Sequence, residues 1–130
     1  MGRVVLLAAQ RPFKMVAGIE ISGALHEVAR ENVGRFDKDA LQCHDIRLVR
    51  GDAAEYKFPR GKLAVYLYNP FREKILRSVL ERLLAQPREI TLLYHTPVDR
   101  EVVEATGAFE LEREFSYAAI FRTVRPKPDC

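Results

Sequence analysis

Acidic side chains follow two of the apolar runs that this sequence predicts to be strands. Glu20 ends the run that begins at Met15, and Asp52 follows Gly51 after an alternating run at residues 45–50. A carboxylate accepts two hydrogen bonds from a vicinal diol, and ligands bind at the carboxyl edge of parallel sheets. These acids therefore suggest a site for a ribose-bearing ligand. Each acid alone also has a structural explanation, a solvated strand end for Glu20 and a turn residue for Asp52.

Two later strands also end in side chains that could take part in chemistry. Asn69, Pro70 and Phe71 follow an almost fully apolar run, which Pro70 cannot continue because it has no N–H to donate. His95 ends the next apolar run, where an imidazole would serve either as a general base or as a structural hydrogen-bonding group. In a parallel sheet these residues would lie at the same edge as the two acids.

Strands and helices alternate along most of the chain, and these elements would position the side chains above. Apolar runs predict the strands, a 3.6-residue periodicity predicts the helices, and Ser22 is a good N-cap for the second helix. The last two strands are joined almost without a loop, which predicts an antiparallel hairpin. The predicted strands are residues 15–20, 45–50, 63–68, 90–95, 109–115 and 117–123; the predicted helices are 4–9, 23–34, 72–86 and a segment capped by Thr96 and closed by Gly107.

This order predicts an α/β fold with a Rossmann-like, doubly wound, mostly parallel sheet that the C-terminal hairpin completes. We expect one domain over residues 1–123 and a tail over residues 124–130, with the strand at 63–68 in the centre of the sheet. Packing explains Tyr66 and Tyr68 of that strand better than stacking on bases. The helices are expected to bury these residues: 4–9 of the first, Leu25, Val28, Ala29 and Val33 of the second, and Ile75, Leu76, Val79, Leu80, Leu83 and Leu84 of the third.

Composition excludes several classes of protein. The formal charge of +3, from 21 basic and 18 acidic residues without a dense basic block, is no strong sign of nucleic-acid binding. No apolar stretch approaches the ~20 residues that a membrane helix needs, and we identify no signal peptide. Cys43 and Cys130 lie in polar, loop-like sequence and, with His26 and His44, lack metal-ligand spacing. A reduced, cytoplasmic protein without a metal is expected.

These motifs and their order resemble class I S-adenosylmethionine-dependent methyltransferases. The resemblance implies that Glu20 binds the ribose of the cofactor, that Ile21 packs against its adenine, and that Asp52 accepts from the adenine amino group beside the backbone amide of Ala53. Gly2 corresponds to the last glycine of the D-x-G-x-G-x-G loop. The family's first strand and the rest of this loop should precede Arg3, so we expect them to be missing here.

Asn69, Pro70 and Phe71 resemble the N-P-P-Y motif of amino-group methyltransferases, with one proline absent. The resemblance implies that Asn69 and a proline carbonyl accept from the target nitrogen while Phe71 stacks on the target, which is catalysis by positioning. The alternative is a strand-ending turn with Phe71 in the core. The acceptor of the methyl group is not identified by the sequence.

The interpretation that follows is a methyltransferase that uses S-adenosyl-L-methionine, in an incomplete or inactive form if the glycine-rich loop is absent. An alternative is a non-catalytic module of the same fold that binds an adenosine cofactor. An NAD-binding domain is a third hypothesis, against which the terminal hairpin and Asp52 argue. In the resembled family the first strand lies between the strands that here end at Glu20 and Tyr68, so its absence would expose two strand edges and favour self-association.

Overall fold

The computed structural model describes residues 2–68 and 73–124, and for Tyr68 the backbone only. The chain divides into two compact units, Met1–Tyr56 and Lys57–Cys130. The helices are α1 (Arg3–Ala9), α2 (Gly23–Arg35), α3 (Glu73–Leu84) and α4 (Arg100–Ala105). The strands are β1 (Val16–Glu20), β2 (Ile46–Arg50), β3 (Leu63–Tyr68), β4 (Ile90–His95), β5 (Phe109–Glu114) and β6 (Ala118–Thr123).

The first unit is a β-α-β unit preceded by a short helix. β1 pairs with β2 in parallel, in a register that runs from Val16 opposite Ile46 to Glu20 opposite Arg50. The helix between them begins as predicted, because the Ser22 side chain accepts from the N–H of Leu25 at 3.3 Å. As a result, the strand that ends in Glu20 leads almost directly into α2.

The core of the first unit is small. Ala9, Val16 and Cys43 are its buried members, and Cys43 is only 1% exposed. Cys43 lies in the loop before β2, as its sequence context indicates, but its side chain is buried. Its thiol contacts the carbonyl of Asp45 at 3.6 Å, while the N–H of Cys43 donates to the carbonyl of Ala9. Backbone bonds to the end of α1 thus draw this segment into the core.

The predicted burial of α1 and α2 is confirmed only in part, since several of their apolar residues are half-buried or exposed. In α1 only Ala9 is buried, and Leu7 is exposed; in α2 only Ala29 is buried, and Leu25 and Val28 are exposed. A helix can bury only as much apolar surface as the sheet beneath it covers. In this unit that sheet has two strands, which is too narrow for the full stripe of a helix.

The second unit contains a four-stranded sheet in the order β3-β4-β6-β5. β3 pairs with β4 in parallel, β6 pairs with β4 in antiparallel orientation, and β5 with β6 forms the predicted hairpin. Within this sheet β3 lies at the edge, and its central place in a single sheet stays a prediction together with that sheet. Sequence could not show the edge position, since an apolar edge strand and an apolar central strand look alike when their neighbours are unknown.

The predicted apolar stripe of α3 forms most of the helical side of this core. Four of its six residues are buried, whereas Ile75 is 41% exposed and Leu84 is partly buried. The sheet contributes residues from all four of its strands, and α4 contributes two valines. The buried residues of the unit are Leu67, Leu76, Val79, Leu80, Leu83, Ile90, Leu92, Tyr94, Val102, Val103, Phe109, Ala118, Ala119 and Phe121.

The start of α4 differs from the prediction. Thr96 is not its N-cap, since the helix begins at Arg100. Thr96 has a φ of +53°, so it leaves β4 in the left-handed region that β-branched residues rarely adopt. The backbone N–H of Asp99 donates to the buried Tyr94 hydroxyl at 3.4 Å, which holds the segment before the helix. Gly107, with a φ of +67°, follows the helix end as predicted.

The described residues thus form a mixed α/β fold with parallel strands and a C-terminal antiparallel hairpin. The single doubly wound sheet stays a prediction, because the described strands hydrogen-bond in two sheets. Self-association through open strand edges also stays a prediction. The longest described helix, α2, has 13 residues, and none of the described helices is long and apolar enough to cross a membrane.

Candidate functional site

Glu20 and Asp52 both follow strands of the first unit, and these strands end at the same edge of their sheet. The N–H of Gly51 donates to the carbonyl of Glu20 at 3.0 Å, which extends the β1–β2 pairing by one residue. This bond ties the start of the Gly51-Asp52 turn to the end of β1. The structure therefore brings the two predicted acids to one edge, as parallel pairing requires.

Each carboxylate makes one local hydrogen bond that fixes its position. Oε1 of Glu20 accepts from the N–H of Ser22 at 3.0 Å. Oδ1 of Asp52 accepts from the N–H of Ala54 at 2.9 Å and caps a short 3₁₀ turn, Ala53–Glu55. Among the described residues, the second oxygen of each acid has no hydrogen-bond partner. Each acid is thus oriented by the backbone and keeps acceptor capacity for a ligand.

The neighbours of the two acids are also available for binding. Ile21 is 71% exposed, so an apolar side chain stands in solvent directly after Glu20. Within the part of the chain that the structure describes, the N–H of Ala53 donates to no acceptor. An exposed apolar surface beside an open backbone donor and two acceptors can recognise a flat, polar-edged ring.

Gly2 precedes α1 and has a φ of +78°, a conformation that glycine adopts readily. A Cβ atom at this position would lie 3.4 Å from the Cα and Cβ of Ala29. The backbone of Gly2 therefore lies close against α2. This close approach gives Gly2 a packing role alongside the cofactor role that the resemblance implies.

Sequence reasoning missed Arg50, which lies close to the start of α2. A Cβ atom at Gly23 would come within 2.8 Å of the Arg50 Cζ atom, so the guanidinium occupies space that any larger residue at 23 would need. Arg50 is the register partner of Glu20 and is exposed. The sequence feature that could have indicated Arg50 is its position at the end of the strand that precedes Gly51 and Asp52.

The site residues predicted for the second half of the chain divide into two groups. Asn69, Pro70 and Phe71 lie outside the described residues, so their catalytic role stays a prediction. His95 ends β4 as expected and contacts two aromatic rings, those of Tyr66 and Tyr117.

No set of three or more histidine, cysteine, aspartate or glutamate side chains in residues 2–68 and 73–124 is arranged to hold a metal ion. The groups at the Glu20–Asp52 edge instead suit an organic ligand. Carboxylate oxygens match the hydroxyls of a ribose and an exocyclic amine, and the Ala53 N–H matches a ring nitrogen. These residues therefore fit the adenosyl part of a nucleoside cofactor.

The fold has a known structural counterpart. The chain is similar to the solved structure of the putative methylase HI0767 from Haemophilus influenzae, with a TM-score of 0.56 and 12% sequence identity. The likeness covers 86% of this chain and 68% of that chain. The chain therefore has a methyltransferase-like fold. It matches no protein-family model and no protein among the curated sequences.

Proposed function

We propose that this chain is a methyltransferase domain that uses S-adenosyl-L-methionine. The observation that carries the proposal is the pair Glu20 and Asp52, both oriented by backbone N–H groups at one sheet edge. The likeness to a putative methylase supports it through the fold. The acceptor is left open, and we propose a cytoplasmic location because Cys43 is a free, buried thiol.

The chain's own groups would act as follows. Glu20 would accept from the ribose hydroxyls with its unpartnered oxygen, and Ile21 would cover one face of the adenine. Asp52 would accept from the adenine amino group while the Ala53 N–H donates to a ring nitrogen. Such contacts bind the cofactor equally before and during the reaction, so they determine affinity more than turnover.

The bound cofactor supplies a sulfonium methyl group that an acceptor nucleophile takes in line. Asn69 and the carbonyl of Pro70 would orient the acceptor by accepting its N–H hydrogens, and Phe71 would stack on it. This motif would raise the rate because it aligns the acceptor with the methyl group and excludes water. Catalysis of this kind needs few side chains that gain or lose a proton. We propose these three residues as the part of the chain that distinguishes a transferase from a cofactor-binding module.

Replacing Glu20 by alanine tests the cofactor site. We expect Glu20→Ala to weaken S-adenosylhomocysteine binding by roughly 1–3 kcal/mol, because hydrogen bonds to a charged acceptor are lost. Isothermal titration calorimetry measures the change. The matched control is Glu27→Ala, which removes an exposed carboxylate of α2 that pairs with Arg30 at 3.6 Å. Equal affinities for the native chain and a folded Glu20→Ala variant would remove Glu20 from the site.

A further inference from the structure

Four rings form a continuous row in the second unit. The Tyr66 and His95 ring centroids are 6.4 Å apart, His95 and Tyr117 are 5.6 Å apart, and Phe115 and Tyr117 are 5.9 Å apart. The guanidinium of Arg113 lies 4.9 Å from the centre of the Phe115 ring. We call Tyr66, His95, Tyr117 and Phe115 the ring row; Arg113 lies at its hairpin end.

Three of the four rings in the ring row are exposed, and His95 is partly buried. Tyr117 is 61% exposed, Tyr66 is 41% exposed and Phe115 is 36% exposed, whereas packed tyrosine and phenylalanine side chains would be covered. Tyr66 packs against the His95 ring but also keeps part of its surface in solvent. Exposed aromatic side chains that contact one another present a wide apolar surface with polar atoms at its edges.

The backbone fixes the ring row in place. The N–H of Thr96 donates to the carbonyl of Tyr117 at 2.7 Å, which joins the end of β4 to the hairpin turn. The N–H of Phe115 donates to the carbonyl of Ala118 at 2.8 Å and closes that turn. Thr96 donates its hydrogen bond while its backbone is in the left-handed region. Residues with such strained backbone conformations cluster at functional sites.

Among the described residues, the charges beside the ring row leave one cation without an acidic partner. Glu112 pairs with Arg122 at 3.2 Å, and Glu114 pairs with Arg100. Arg113 forms no ion pair with any described residue, and its recorded contact is the Phe115 ring. Arg113 would repel a cationic ligand and attract an anionic one, and a planar guanidinium suits phosphate.

We propose that the ring row binds a purine or pyrimidine base and that Arg113 contacts the phosphate of the same nucleotide. Bases stack on exposed aromatic side chains because every base has a π-face, and a nearby cation tracks the backbone. The formal charge of +3 does not argue against this, since stacking supplies most of the contact and one phosphate needs one cation. That the bound base is also the methyl acceptor rests on the proposed function.

The test is a titration without any methyl donor. Two labelled single strands of about 12 nucleotides are compared, one with bases and one abasic throughout, by fluorescence anisotropy. We expect the strand with bases to bind at least tenfold more tightly. Tyr117→Ala should lower that affinity about tenfold, and Tyr117→Phe should restore it. Arg113→Gln should lower the slope of log affinity against log salt concentration by about one, because one phosphate contact is lost. Leu111→Ala, which removes an exposed apolar side chain of β5, is the control.

Equal binding of the two strands, or no binding of either, would overturn the inference, and so would a folded Tyr117→Ala variant that binds as the native chain does.

Competition by a nucleoside monophosphate separates two sources of the same chemistry. Strong competition identifies a free nucleotide as the ligand, and weak competition identifies a single strand. The titration contains no methyl donor and does not depend on the Glu20–Asp52 site, so the proposed function and this inference fail or stand separately.

Discussion

Leu80→Ala is expected to lower the free energy of unfolding by about 2–5 kcal/mol, the largest effect on stability that we predict. Leu80 is 0% exposed and lies on the face of α3 that also buries Leu76 and Leu83. Truncation removes apolar surface from the core and leaves a cavity that a close-packed interior closes only partly. Urea unfolding followed by circular dichroism gives the difference between variant and native chain.

Ile75→Ala is the matched control, because it makes a similar truncation on the same helix at a side chain that is 41% exposed. We expect it to cost less than half as much as Leu80→Ala, since less apolar surface leaves the core. Losses of equal size at the two positions would show that α3 does not pack through the face described here.

Asn69→Ala is expected to lower kcat roughly 100-fold, the magnitude seen when one positioned hydrogen-bonding group is removed from an active site. Asn69 follows the carboxyl end of β3, the place where the resemblance puts the group that orients the acceptor. The affinity for S-adenosylhomocysteine should stay within about twofold of the native value, because the amide acts on the acceptor. The steady-state rate of S-adenosylhomocysteine release gives kcat, and calorimetry gives the affinity for S-adenosylhomocysteine.

Gln42→Ala removes an exposed side-chain amide from the loop between α2 and β2 and is the control for this variant. It should leave both numbers unchanged. Parallel losses of turnover and cofactor affinity in Asn69→Ala would place Asn69 on the cofactor. A native chain that binds S-adenosylhomocysteine but turns over no acceptor would favour the non-catalytic module.

Local patterns predicted the elements well because they depend on neighbouring residues. The bounds of β4 agree with prediction, the Ser22 cap forms as expected, and four of the six predicted stripe residues of α3 are buried. The positions of Glu20 and Asp52 could be predicted for the same reason. Glu20 ends its strand and Asp52 lies two residues after the end of its own, and parallel pairing alone brings the two strand ends together.

Features that depend on distant residues could not be predicted. The exposure of Leu25 and Val28 depends on how many strands lie beneath α2, and the edge position of β3 depends on which strands pair. The ring row needs the registers of β3 with β4 and of β4 with β6, which bring Tyr66 and Tyr117 to the same histidine. No spacing within the sequence indicates that contact.

The proposed cofactor is tested most directly by titrating the native chain with S-adenosylhomocysteine and, separately, with NAD. The sequence contains no G-x-G-x-x-G turn of the kind that binds a pyrophosphate, while in our proposal Glu20, Asp52 and Ala53 would contact an adenosyl group. We predict that S-adenosylhomocysteine binds at least about tenfold more tightly than NAD, a difference of about 1.4 kcal/mol. Equal affinities, or tighter binding of NAD, would contradict the assignment.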